Sequence, residues 1–165
     1  ISGDPLKIFY LPAPLNGAYS VELSSSSIKN YKLESYLYDL DGNVKIATHS
    51  GIIGPHDSDI YSTQFNKEDS NNSSSNENIT FDSLIADIRL LHSLHEINPR
   101  YYISLLAQAK TAKFLSGRPF LKRGTIALLK AMDKQILRAR GRGVSDNAYD
   151  ILHNDIQSLI PQVGG

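Results

Sequence analysis

The chemistry in this chain is concentrated in one stretch, Arg118 to Gly143, RPFLKRGTIALLKAMDKQILRARGRG. It carries eight Lys or Arg and a single acid, Asp133, in a chain of 165 residues with a formal net charge of zero. Guanidinium and ammonium groups are donors without acceptors, and their natural partners are phosphates and carboxylates. The imbalance extends beyond that stretch. Residues 1–99 hold six Lys/Arg against thirteen Asp/Glu, a net of −7; residues 100–142 hold eleven against one, a net of +10; Asp146, Asp150 and Asp155 close the chain at −3.

Spacing sharpens the pattern. Lys130, Lys134 and Arg138 recur every four residues, so on a helix they form one row, while Ile126, Leu129 and Ile136 mark an apolar stripe. Arg100, and the group Arg118, Lys122 and Arg123, fall at the starts of expected helices. A cation there opposes the macrodipole by up to about 1 kcal/mol. An anion bound at free backbone N–H groups would reverse that sign. With Lys110, Lys113, Arg140 and Arg142, these eleven cations make a candidate surface for a phosphate backbone. Tyr101 and Tyr102 are placed to stack on bases, although one of them is expected in the core. A plainer reading competes: long helices carry cations on wet faces, Arg138, Arg140 and Arg142 suit a helix C-terminus, and the acidic N-terminal part offers pairing partners.

The other reactive side chains are sparse. The chain has five histidines, His49, His56, His92, His95 and His153, and no cysteine, which removes disulfides, thiolate ligands and cysteine nucleophiles. His92 and His95 share a helix side, but they lack the four-residue spacing of a zinc-binding His-Glu-x-x-His pair, and His95 continues the stripe Leu84–Ile88–Leu91. In "GPHDSD", His56, Asp57 and Asp59 would form a metal or acid–base group with His92 if the first helix packed beneath that loop. His56, Asp57 and His92 are therefore the candidate ligands of a metal-dependent hydrolase, the third reading. "DLDGN" begins like a calcium loop without the later ligands. No phosphate-cradling loop and no Gly-x-Ser-x-Gly turn is present. No cofactor is expected.

The elements that must carry these residues divide the chain. Residues 1–66 read as β-rich: "LKIFYL", "AYSVELS" and "DIYSTQF" are short apolar or alternating runs. "YKLESYLYDLDGNVKIATHSG" predicts a hairpin. A two-residue turn on Asp41-Gly42 sets Leu37 opposite Ile46 and Ser35 opposite Thr48. Leu33, Leu37, Val44, Ile46 and Thr48 then share one face, and Tyr36, Tyr38, Lys45 and His49 the other. Residues 67–78, "KEDSNNSSSNEN", read as a flexible polar loop with too little apolar area to offset its ordering. Sequons begin at Asn71, Asn72 and Asn78 within or beside it.

Residues 79–165 read as four helices. Thr80 caps the first and Asn98, followed by Pro99, caps the second, which stops at Gly117. The third spans about Phe120 to Arg140 and ends at Gly141 and Gly143. Ser145 caps the fourth, with Pro161 and the final glycines closing it. The expected fold is α+β: an antiparallel sheet of four or five short strands packed with a four-helix bundle, with the length of the chain pointing to one compact domain.

Taken together, the residues predict a non-enzymatic module whose basic helical surface engages a polyanion, most readily nucleic acid. The runner-up is an adaptor or structural subunit whose basic face meets an acidic protein. No run of about 18 apolar residues predicts a membrane span. No signal peptide is visible at Ile1, the first residue is not Met and reads as processed or trimmed, and the absence of cysteine fits an intracellular location.

Overall fold

The computed structural model describes residues 7–55 and 57–164. The chain is α+β, with strands first and helices after. Strands β1 (Gly17–Ser24), β4 (Ser58–Phe65) and β5 (Ser74–Glu77) form one antiparallel sheet in the order β1-β4-β5. Strands β2 (Lys29–Tyr38) and β3 (Val44–Ile53) form a separate two-stranded ribbon. Four helices follow: α1 (Phe81–Ser93), α2 (Pro99–Ser116), α3 (Lys122–Ala139) and α4 (Asp146–Gly164). No helix among the described residues is long and apolar enough to cross a membrane.

The hairpin forms, with a register one residue away from the expected one. Leu37 pairs with Lys45, Leu33 with His49, Tyr36 with Ile46 and Tyr38 with Val44. A one-residue slip exchanges the faces of the second strand. Leu33 and Leu37 thus share their half-buried face with Lys45 and His49, while Tyr36, Tyr38, Val44, Ile46 and Thr48 lie on the exposed one. The cause is the turn. Asp39 N–H donates to the Asn43 carbonyl at 3.0 Å, so the loop closes on Asp39 and Asn43 rather than on Leu40 and Asn43. Gly42 takes the positive φ of 84° that this loop needs. The Asp39 carboxylate accepts from the backbone N–H groups of Asp41, Asn43 and Ser70 and from the Asn43 amide. "DLDGN" is therefore a turn built around one buried carboxylate.

That carboxylate also orders the polar segment after β4. Asp69 caps the one-turn 3-10 helix Ser70–Asn72, and Ser73 bonds to Asn66 through its hydroxyl. Side-chain oxygens thus satisfy backbone groups locally. Residues 67–78, expected as a loop, supply strand β5 as well as this turn. At the other end, Lys7–Leu11 form no strand, and Ile8, Phe9, Tyr10 and Leu11 are exposed.

The helix starts agree with the caps read from the sequence. Thr80 and Ser83 form a reciprocal capping box, Asn98 Oδ1 accepts from Arg100 N–H at 2.8 Å, and Ser145 Oγ accepts from Ala148 N–H at 3.0 Å. Two ends differ. α1 stops at Ser93, so His95 leaves the apolar stripe and lies exposed at φ 62°. α4 continues through Pro161 to Gly164. The core is almost entirely helical, built on Leu84, Ile88, Leu91, Leu105, Leu129, Met132, Ile136, Leu152, Ile156 and Leu159; Ile52 of β3 is the strand residue that joins it.

Burial alone would raise the Asp39 carboxyl, but its N–H donors at Ser70 and Asn43 outweigh that and hold it below the ordinary carboxylate value. A depressed carboxyl stabilises the fold above its unfolded pKa and loses that effect as pH falls through the folded value. Asp39→Ala is expected to lower the thermal midpoint by several degrees near neutral pH, with Asp39→Asn retaining part of the loss. Melting followed by circular dichroism down to pH 3 checks this: the difference between wild type and Asp39→Ala shrinks in acid.

Candidate functional site

All eleven candidate cations, Arg100, Lys110, Lys113, Arg118, Lys122, Arg123, Lys130, Lys134, Arg138, Arg140 and Arg142, are exposed. They do not share one fate. Lys113 pairs with Asp82 of α1. Arg140 pairs with Asp146, approaches Asp150 and lies 4.4 Å over the Tyr149 ring. Arg118 stacks 4.4 Å above Phe114. None of the ion pairs among the described residues involves Arg123, Lys130, Lys134 or Arg138. These four stand at spacings of seven, four and four, so they share the outward side of α3.

The opposite side of α3 explains why this side faces water. Thr125, Leu129, Met132, Ile136 and Ala139 are buried against the bundle. Asp133, the acid inside the basic stretch, turns toward α4, where it bonds His153 Nδ1 at 2.6 Å and Gln157 Nε2 at 3.1 Å. It is therefore not the partner of the cationic row. At its start α3 has no side-chain cap and no acid in the first turn. Between α2 and α3 runs a shallow groove of about 520 Å³ lined by Tyr101, Gln108, Leu128, Ala131, Gln135 and Arg138. Tyr102 is not available to it, because its ring stacks on His92 at 4.0 Å.

That stacking, with His92 Nδ1 2.9 Å from the Ile97 carbonyl oxygen, places His92 in the α1–α2 turn as a structural residue. Asp57 is exposed, and its N–H donates to the Gly54 carbonyl at 3.3 Å. His56 lies outside the described residues. Among the described residues no three His, Asp or Glu are arranged to hold a metal ion.

A second cluster sits where the strands meet the bundle; of its acids only Asp59 was singled out in the sequence, as part of the "GPHDSD" group, and Glu77, Asp87 and Asp155 were not. The inward faces of the two β layers are polar. Tyr31 Oη donates to Asp59 Oδ2 at 2.7 Å and lies 2.6 Å from Tyr61 Oη; His49 Nε2 is 3.0 Å from the Ser75 carbonyl oxygen; Thr63 donates to Ser75 at 3.1 Å. Glu77 pairs in register with the fully buried Tyr61. Asp87 of α1 and Asp155 of α4 are buried behind them. Burial raises Asp59 and pushes Glu77 up to about 7, with the Asp59 charge adding to it. Asp87 and Asp155 lie within hydrogen-bonding reach of each other; burial raises both well above the carboxylate range, so the pair retains a proton near neutrality. Asp155 Oδ2 is buried without a hydrogen-bond partner among the described residues. Asp87 lies in the interior, whereas Asp155 also lines a crevice of about 340 Å³ between β3, β5 and α4 that it shares with His49 and Glu77. The legible signal was periodicity: Asp87 falls between Leu84 and Leu91, and Asp155 between Ile151 and Leu159, at core positions of their helices.

The chain matches no protein-family model, no curated protein and no solved structure.

The Tyr31 ring fits because position 51 is glycine. A Cβ there would collide with the Tyr31 hydroxyl, which Asp59 and Tyr61 hold in place. Gly51→Ala is expected to destabilise the fold by ~1–3 kcal/mol, the usual scale of overpacking. Denaturant unfolding of Gly51→Ala, Tyr31→Ala and the double variant checks the cause: the double variant should lose clearly less than the sum of the singles.

Proposed function

We propose that this chain is a non-enzymatic binding module whose outward α3 surface engages a polyanion, nucleic acid foremost. The observation that carries the reading is the row Arg123, Lys130, Lys134 and Arg138, exposed and without an ion pair among the described residues. A helix rises 1.5 Å per residue, so the row extends about 22 Å, long enough to meet several successive phosphates. The uncapped start of α3 supports it, because its backbone N–H groups add to the same field. The groove beside Arg138 offers Tyr101 as an aromatic surface next to the charges. Among the described residues no acid of the strand half is ion-paired with the row, and Asp82 of α1 pairs with Lys113 of α2 instead.

A second reading, an adaptor that meets an acidic protein, draws on different residues. Phe114, Phe120 and Leu137 are exposed on the same helices or the turn joining them. Aromatic and apolar anchors ringed by cations are the composition of a protein interface more than of a phosphate track.

Heparin and duplex-DNA chromatography separates the two. Four phosphate contacts imply an affinity that falls roughly a hundredfold between about 50 and 200 mM salt. Reversing Arg123, Lys130, Lys134 and Arg138 to Glu should abolish retention with the thermal midpoint nearly unchanged. Retention that survives the reversal sinks the polyanion reading. Loss of a stable complex with an acidic protein on Phe114→Ala and Phe120→Ala, with no DNA shift at low salt, would establish the second.

A further inference from the structure

Four carboxyls from four elements lie where the strands meet the bundle: Glu77 of β5 and Asp155 of α4 line one crevice, Asp59 of β4 accepts from the Tyr31 hydroxyl that also meets Tyr61, the pairing partner of Glu77, and Asp87 of α1 is buried within electrostatic range of the other three. Three of these groups feel one another's charge, and none of them is in an ion pair among the described residues. The apolar contact across the same junction is thin, since Ile52 is the strand residue in the main core. A crevice of about 340 Å³ between β3, β5 and α4 reaches Glu77 and Asp155, giving protons a route to the cluster.

We propose that this acid cluster is a proton-operated latch between the strand layers and the helical bundle, closed while its carboxyls hold protons and loosened when they ionise. The reasoning does not depend on the polyanion reading. With protons present, carboxyls donate as well as accept, and Asp87 bonds Asp155 across the α1–α4 contact. Without them, like charges face each other, and no ion pair among the described residues offsets them.

The remaining titratable groups at the junction are few. Tyr31 of β2 and Tyr61 of β4 are driven above the ordinary tyrosine value, chiefly by burial, and stay neutral throughout. Asp57 lies in the loop before β4 and adds its charge to Asp59. His49 of β3 is lowered by burial. Its sign is opposite: it favours the fold above its unfolded pKa and loses that effect as pH falls. The acids, raised in the fold, contribute fully below their unfolded values near pH 4 and lose that contribution as pH rises through about 7, where Glu77 titrates, and beyond.

The test compares wild type with Glu77→Gln/Asp155→Asn, both retaining His49. The wild-type thermal midpoint should fall by roughly 10 °C between pH 5 and 8, taking Glu77 and the aspartate pair together, and the variant should lose most of that slope. A flat wild-type profile, or an equal fall in the variant, overturns the latch. If the variant does not fold, carbon-13 detection of the side-chain carboxyls in wild type decides: at least two titrating above pH 6 support the proposal, and all titrating below pH 5 overturn it. Hydrogen-exchange protection locates the opening. Loss between pH 5 and 8 should be greatest at β5 and the facing ends of α1 and α4, and a loss spread evenly over α2 and α3 counts against a latch.

Discussion

The strand layers of this chain have too little apolar surface to hold themselves together as an oily sandwich, and that shortage shapes the rest of the molecule. Beside Leu23, Leu33, Leu37 and Phe65, their inward faces present tyrosine, serine, threonine, histidine, aspartate and glutamate. Such groups are stable out of water only when each finds a partner, because an unmet buried polar atom costs about 1–3 kcal/mol. Most partners are found across layers, Tyr31 with Asp59 and Tyr61, Ser35 with Ser75 and His49 with the Ser75 carbonyl, while Thr63 meets Ser75 within its own sheet. The β part is therefore held by directional bonds, and the bundle by nondirectional burial.

These two kinds of cohesion meet at one seam. On the helical side the core is close to a pure apolar contact among α1, α2, α3 and α4, with Asp87 and Asp155 as its polar intrusions. On the strand side Ile52 and Ile79 enter that core, and Glu77 and Asp59 lie next to the two aspartates in the electrostatic sense. A seam with four carboxyls, none of them in an ion pair among the described residues, differs from one in which acids and bases balance. Its neutrality comes from bound protons, so its cohesion is tied to solution pH in a way that the apolar bundle is not.

The outer surface follows from the same division of labour. Because α3 gives its buried apolar stripe to the bundle and its one acid to His153 and Gln157, its remaining face is left to cations, small residues and the exposed Leu137. The charge asymmetry along the chain thus becomes a spatial one. The acidic excess lies partly in the seam and the hairpin turn, turned inward on backbone donors and tyrosines.

What local chemistry alone decided is visible at the caps and periods. Thr80, Asn98 and Ser145 set helix starts because capping uses residues two or three apart, and the stripes of Leu84–Ile88–Leu91 and Leu129–Ile136 identify buried faces for the same short-range reason. The order of strands before helices, and the exposure of the cationic row, are legible in the same way. The hairpin register was not, because it turns on Asp39 also binding Ser70, 31 residues away. Division into two β layers was not either, since pairing partners such as Val21 and Tyr61 carry no local mark of each other. Least legible was the acid cluster. Asp59, Glu77, Asp87 and Asp155 are ordinary surface residues by type, and only the packing of helices onto strands removes their water, brings them within range of one another and makes their protons part of the fold.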